Sequence, residues 1–590
     1  MFLRSTQRRK DGKVHRYWSL VENRRVSGGR VVQRPLLYLG EINDSQRAAW
    51  RKTIEVFEAG APRPRTLALF PEDGTAPLDD ASVVRLRLSQ LRVERPRQWG
   101  ACWLACTLYD QLGLDRFWAE RLPPNRKGTR WDLILKTLTA YRLIDPGSEW
   151  RLHREWYVKS AMGDLLGAGY ELAEIHKLYT CLDDLLPHKR ALFAHLTGRW
   201  QDLFNATYDV LLYDLTSSYF ESAPPADPHD KRKYGYSRDK RPDCTQVVVA
   251  LVITPEGFPL AYEVLSGNVL DHRTLRMFLR KIERHYGKAR RVWLMDRGIP
   301  TEAVLEQMRQ SDPPIQYLVG TPKGRLTALE AALVEQPWQK VHDGVQVKLL
   351  VHEGETYVLA CSRDRVAKER AMRQRQLERL WNRLQKLQTM RLPAERLWMK
   401  LGAAQKQWPA GWRLVRVAVT AAGTLRFELN REKLRQVRRR EGRYLLRTNL
   451  AAENPVYLWE LYMRLVQVEE AFRTLKGDLA LRPFWHQLET RIEAHIFVAF
   501  QAYALHVTLR HRLQGLAPGL TSRAFLEKLR SIAMVDVHLP TTDGREIVLP
   551  RYTQPDSEVA LLLGRLNLTL PPQPAPRLNL RKEFLPDQSM

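Results

Sequence analysis

The sequence predicts an α/β protein in which one mixed sheet is preceded by a mostly helical region and interrupted by a β-rich segment. Three observations lead there. Short apolar runs alternate with helix-spaced segments over residues 210–319; a Trp- and Arg-rich helical pattern fills about 99–205; hairpin-like apolar runs recur after 321. At 590 residues the chain is too long for a single core, so several domains are expected.

Residues 13–40 pattern as a β-hairpin turning at Gly28-Gly29. A helix-like stretch and a Pro-rich connector, about Ala61 to Asp73, follow. Over 82–93, Val84, Leu86 and Leu88 alternate with Arg85 and Arg87, as in a strand. The helical pattern from Trp99 to Asn205 is broken once, at Pro146-Gly147. The period then changes. Val210–Tyr213, Gln246–Ile253 and Leu260–Leu265 read as strands, and Leu275, Phe278, Leu279, Ile282 and Tyr286 have helix spacing. Arg291–Met295, a helix at Thr301–Met308 and the strand Ile315–Val319 complete the series. This β-β-β-α-β-α-β order is that of a ribonuclease H-like core, short of its last helix. The delay is filled by hairpin-like runs (345–351, 357–361, 414–419, 425–429) around a basic helical stretch, Arg365 to Gln407. A strong helix begins near Pro455 and runs past Lys476, and another spans Glu489 to Leu513. The tail has a small hairpin at Asp543-Gly544 and a Pro-rich end, 571–576.

The expected divisions are therefore an N-terminal hairpin and helix (1–60), a mostly helical region (61–205) and the first part of the core (206–320). A β-rich insertion with a basic helical arm (321–450), the last core helices (451–515) and a C-terminal tail (516–590) follow.

Lys and Arg outnumber Asp and Glu by 94 to 66, a net charge of +28, which points to a polyanionic partner, above all nucleic acid. Five scattered cysteines make a disulfide framework an unsuitable reading and fit a reducing compartment. Cys102 and Cys106 lie four apart on an apolar helical stretch with no following Cys or His pair, so packing is favoured over zinc. The N-terminus has charges but no apolar signal region. The longest apolar run, His495–Leu509, falls short of the roughly 20 residues of a membrane span. A soluble cytoplasmic protein, with no membrane partner, is the expectation.

Three carboxylates stand out. Asp214 closes the apolar run LLYD and Asp296 closes VWLMD; strand ends are where functional side chains leave an α/β sheet, although either Asp alone also suits a turn or helix cap. The third is located by helical phase. Leu458, Leu461, Leu465, Val468, Phe472, Leu475 and Leu479 form an apolar stripe; at about 100° per residue Glu469 lies at its edge and Glu470 points away to solvent. Tyr462 and Lys476, seven residues either side of Glu469, share its edge, since seven residues drift only about 20°. Three carboxylates suit Mg²⁺ or Mn²⁺, hard ions that take oxygen ligands, and a pair of such ions suits in-line phosphoryl displacement.

The stretches YDLTSSYFE around Asp214, LSGNVLDHRTL at 265–275, MDRG around Asp296 and VEEAFRTLKGDLALRPFWH at 468–486 resemble the DDE transposases of the insertion sequence four family, most of all its sixteen-thirty-four group. The family's third block has Tyr, Arg, Glu and Lys at fixed spacing. Tyr462, Glu469 and Lys476 match; the Arg position is Leu465, for which Arg464 or Arg473 would have to substitute. The resemblance implies that Asp214, Asp296 and Glu469 hold the catalytic metals and that Tyr462 and Lys476 hold the transposon-end backbone. It also implies double-stranded DNA as substrate and target, and action as a homodimer on paired ends. End recognition is expected in 61–205. Competing expectations are a nuclease or resolvase on the same fold and a domesticated DNA-binding protein without catalysis. Weaker features are the Arg435–Arg443 cluster and Lys233–Ser237 as DNA contacts, Trp408 and Trp412 as base-stacking or packing residues, and His486 and His495, whose nine-residue spacing suits core roles over ligation.

Overall fold

A computed structural model describes residues 2–10, 13–25, 31–40, 86–269, 271–286, 291–321, 329, 332–333, 335–390, 392–420, 423–451, 454–542 and 544–580. The Gly28-Gly29 turn, the stretch from 41 to 85 with its Pro-rich connector, and Asp543 lie outside them.

Strands β1 (Phe2–Lys10), β2 (Lys13–Arg25) and β3 (Val31–Gly40) form an antiparallel meander, so the expected hairpin gains a strand at its front. Of the strand expected over 82–93, the first four residues lie outside the described ones; Leu88–Gln90 is a 3₁₀ turn, and β4 is Arg92–Gln98. The helical region holds Gly100–Gln111, Leu114–Arg121, α1 (Trp131–Ile144), Ile175–Asp183 and Lys189–Phe204. Cys102 and Cys106 are buried within it as free thiols.

The core sheet contains β5 (Val210–Phe220), β6 (Thr245–Ile253), β7 (Pro259–Ser266), β8 (Val292–Met295) and β9 (Gln316–Thr321), with α2 (Asp271–Tyr286) and α3 (Glu302–Gln310) between strands. Its spatial order is β7-β6-β5-β8-β9; β5 to β7 are antiparallel neighbours, while β5, β8 and β9 run parallel. Parallel neighbours need a crossover, which α2 and α3 supply. Alternation sorts the side chains. Leu211, Tyr213, Leu215, Trp293 and Met295 pack with Phe278 and Ile282 of α2 and Leu305 of α3. Leu212, Leu294 and Leu318 face the opposite side, against the C-terminal helices.

Of the strands in 321–450, β10 (Gln339–His342), β11 (Val345–His352), β12 (Glu355–Ser362) and β15 (Arg443–Thr448) extend the core sheet beyond β9 to nine strands. Among the described residues only β13 (Val415–Val419) and β14 (Leu425–Leu429) stand apart, as a hairpin on α4 (Arg363–Thr389) and Ala394–Gln407.

The expected single helix from Pro455 is two: α5 (Pro455–Met463) and α6 (Val466–Lys476), broken at Arg464-Leu465, the second ending at Lys476. Helix α7 (Glu489–Leu516) is long and apolar enough to cross a membrane, which the shorter run 495–509 did not suggest. In the fold, 94% of its most apolar stretch is buried as a core helix. It binds the helical region through buried hydrogen bonds, Trp118 Nε1 to Gln501 Oε1 and Trp200 Nε1 to Thr508 Oγ1, both 3.0 Å. Strands β16 (Ala533–Pro540), β17 (Arg545–Tyr552) and β18 (Arg577–Leu580) form the tail hairpin and one further strand, and β16 pairs with β4.

Candidate active site

The sheet places two of the predicted carboxylates side by side. In the parallel pair β5–β8 the last matched residues are Tyr213 and Met295, so Asp214 and Asp296 follow on neighbouring strands, whose backbones lie about 4.8 Å apart. Both have the parity of Leu212 and Leu294 and therefore face the C-terminal helices. Asp214 does not end its strand, as the sequence suggested. β5 continues to Phe220 against β6, and what ends at Asp214 is its parallel neighbour. Asp296 lies just past β8, where one carboxylate oxygen accepts the Arg297 N–H at 2.7 Å.

The break in the C-terminal helix sets the third carboxylate. It puts Glu469 in the first turn of α6, where the helix N-terminus favours negative charge. Val468, Ala471, Phe472 and Leu475 bury the adjoining side of α6. Asp214, Asp296 and Glu469 line one cavity of about 360 Å³. Glu470 faces solvent only in part, its side chain 37% exposed. Its carboxylate meets Arg510 of α7 at 3.2 Å, because α7 covers the side of α6 that a lone amphipathic helix would leave wet. Tyr462 also lines the cavity, and its hydroxyl reaches Asp296 Oδ1 at 3.4 Å.

The electrostatics are those of crowded acid. Burial pushes the Asp214 carboxyl up to about 7. The Leu215 N–H and Arg238 oppose that rise, while the charges of Asp296 and Glu469 add to it. A carboxylate held half-buried among two others gains from a cation between them, and an all-oxygen donor set suits a hard divalent ion.

The remaining predicted contacts divide. Lys476 lies beyond the cavity, its ammonium 3.1 Å from both oxygens of Asp239. Arg464 and Arg473 are exposed and do not line the cavity. Arg297, Arg365 and Arg443 do, with Glu369 and Tyr444, and sequence reasoning missed all but Arg443, which it placed only in a basic cluster. Arg297 follows Asp296 directly, a signal that was available. Arg365 was not findable by pattern: it comes from the first turn of α4, held by Glu369 at 3.0 Å and lying 5.5 Å over the Tyr444 ring.

Trp408 and Trp412 pack against the small core under β13–β14, and so take the packing role. His486 and His495 are buried, with rings 5.4 Å apart, and meet Glu149. These three offer ligand atoms within 4.8 Å of one another. Arg142, however, stands 3.3 Å from His495 Nδ1 and 3.8 Å from Glu149, and already balances its charge. A dication added there would leave net positive charge buried, so the cluster is a structural network. Burial drives His495 down to about 4, keeping its ring neutral.

Two family patterns match this chain. The IS1634 family transposase N-terminal domain matches residues 3–67, and the transposase DDE domain matches 205–505, just over half of the sequence. No curated protein matches. Among solved structures, a chain from the cryo-EM structure of the piggyBac transposase synaptic complex with hairpin DNA is similar at 9% identity and a TM-score of 0.32, over 75% of this chain and 82% of that one. The DDE match spans the strands and helices that bring Asp214, Asp296 and Glu469 together, and with the N-terminal match it makes the chain a member of the DDE transposases of the IS1634 group, metal-dependent enzymes that cut and join DNA.

Proposed function

We propose that Asp214, Asp296 and Glu469 are the catalytic carboxylates of a ribonuclease H-like core and that they hold two Mg²⁺ or Mn²⁺ ions. The observation that carries this reading is that three acids separated by as many as 255 positions (469 minus 214) line one cavity, one of them held near pH 7 by its burial and by the other two. The sheet order β7-β6-β5-β8-β9, with its antiparallel and parallel halves, supports the fold assignment. Divalent ions there supply Lewis acidity to both the attacking and the leaving oxygen of an in-line displacement.

The residues have separable parts. The three carboxylates would hold the cations at the end of β8, where the reacting phosphodiester would lie. Water attacks phosphorus at the transposon end, the P–O3′ bond breaks with its electron pair on the 3′-oxygen, and the proton lost by the water is returned through solvent to that oxygen, leaving a 3′-OH and a 5′-phosphate. That hydroxyl then attacks a target phosphodiester and displaces a second 3′-oxygen. Tyr462 hydrogen-bonds the end backbone, Lys476 meets a phosphate beyond the cavity, and Arg464 and Arg473 serve the outer duplex. The cavity arginines, Arg297, Arg365 and Arg443, take the place of the family Arg that Leu465 lacks. The enzyme works as a homodimer on paired ends, on the nucleoid in the cytoplasm.

Incubating the protein with Mg²⁺ and a duplex bearing the element's ends tests this. Free 3′-OH ends and joined products are expected. Hydrolysis without joining would favour the nuclease reading, and no reaction from a folded, DNA-bound protein would favour the binding protein.

A further inference from the structure

Lys476 is already occupied. In the loop between β5 and β6, Asp239 accepts hydrogen bonds from its ammonium at 3.1 Å to each oxygen, and the Arg482 guanidinium reaches the same carboxylate at 2.9 Å. All three side chains are withdrawn from solvent, 14%, 19% and 23% exposed for Lys476, Asp239 and Arg482. Arg482 and Arg241 both stand 4.8 Å from the centre of the Tyr219 ring, so an aromatic face fixes the cations around the seat. The preceding loop residue, Arg238, acts on Asp214, and its N–H is held by Ser217 Oγ at 3.1 Å. One loop therefore acts electrostatically on a cavity carboxylate and pairs with the lysine beyond the cavity.

We infer that Lys476 and Arg482 form a backbone-phosphate seat, that the Asp239 carboxylate fills this seat in the free protein, and that duplex DNA must displace Asp239 to bind there. A carboxylate offers two anionic oxygens in a plane, the nearest side-chain likeness to the paired non-bridging oxygens of a phosphodiester. Two cations on one carboxylate leave a surplus positive charge, which favours exchange for the denser charge of DNA. Desolvation lowers the Lys476 ammonium below its ordinary range, and an anion in the seat offsets that cost. The free enzyme thus caps its own grip, and stray duplex competes with an internal anion. This rests on the proposal that Lys476 meets the DNA backbone, and adds Arg482 and Asp239 to it.

The test is fluorescence anisotropy of the full chain on a labelled duplex of arbitrary sequence, with chelator present so that no cleavage occurs. Asp239→Asn is expected to tighten binding roughly three- to tenfold, the scale of a partly buried ion pair lost from the free state. Lys476→Gln weakens binding, and in a Lys476→Gln/Arg482→Gln background Asp239→Asn gains less than about twofold, because the seat is gone. Lys476→Gln weakening binding while Asp239→Asn gains nothing would make Asp239 a structural brace and overturn this inference alone. A gain that persists without Lys476 and Arg482 would be a general charge effect and would also overturn it. Unchanged binding by Lys476→Gln would remove the underlying proposal as well. Asp239→Ser, melted alongside, serves if the Asn variant does not fold.

Discussion

Asp214 is the residue on which charge and burial conflict most. Its carboxyl binds a proton near pH 7 in the folded chain but near 3.9 when unfolded, so the folded state holds the extra proton between those values. Metal-free stability from this group is greatest below about pH 4 and is lost as pH rises through 7. Asp214→Asn should therefore raise the melting temperature of the metal-free protein at pH 8, by a gain on the order of 1–4 kcal/mol that shrinks toward pH 4, while abolishing cleavage. A lower melting temperature at pH 8 would show that burial of the charged Asp214 carboxylate carries no penalty. Glu469→Gln should likewise abolish cleavage; Glu470→Gln should spare it and cost a little stability through Arg510. Helical phase was enough to choose Glu469 over Glu470 as the cavity residue, because the buried stripe on α6 is strong. It misjudged the surroundings of Glu470, since one helix's period carries no information about a second helix lying over it.

At the scale of elements, short apolar runs located β5 to β9 well, but β5 was read as ending at Asp214. Thr216, Ser217 and Ser218 continue the strand and are buried, their backbones paired with β6; polar side chains there concealed a central strand. The helix break at Arg464-Leu465 was equally hidden, since neither Pro nor Gly marks it. Two substitutions probe how these elements hold the cavity. A Cβ at Gly320 of β9 would lie 2.6 Å from the Tyr462 hydroxyl, so Gly320→Ala should displace that ring and slow cleavage with the fold retained, as checked by circular dichroism and single-turnover rates. Asn454 caps α5 through the Val456 and Tyr457 N–H groups, and Asn454→Ala should cost about 1 kcal/mol in chemical denaturation.

Across the whole molecule, long-range joins bind what the sequence divided. Strand β4 pairs with β16 more than 400 positions later, and buried Arg97 bridges Asp164 at 2.7 Å and Asp536 at 2.9 Å. No local pattern reveals such pairing, because each strand is short and its partner remote. Arg97→Ala leaves buried Asp536 with only the exposed Arg95, at 3.0 Å, and should cost on the order of 3 kcal/mol, read as a lowered unfolding midpoint. The surplus of 28 positive charges makes DNA affinity fall steeply with salt; a flat salt dependence would contradict an electrostatic grip. The central claim, that three carboxylates remote in sequence share divalent cations, is met most directly by anomalous diffraction from crystals of the DNA complex grown with Mn²⁺. Two peaks about 4 Å apart among Asp214, Asp296 and Glu469 are predicted. An ordered cavity without manganese, or manganese bound instead at Glu149, His486 and His495, would contradict the account.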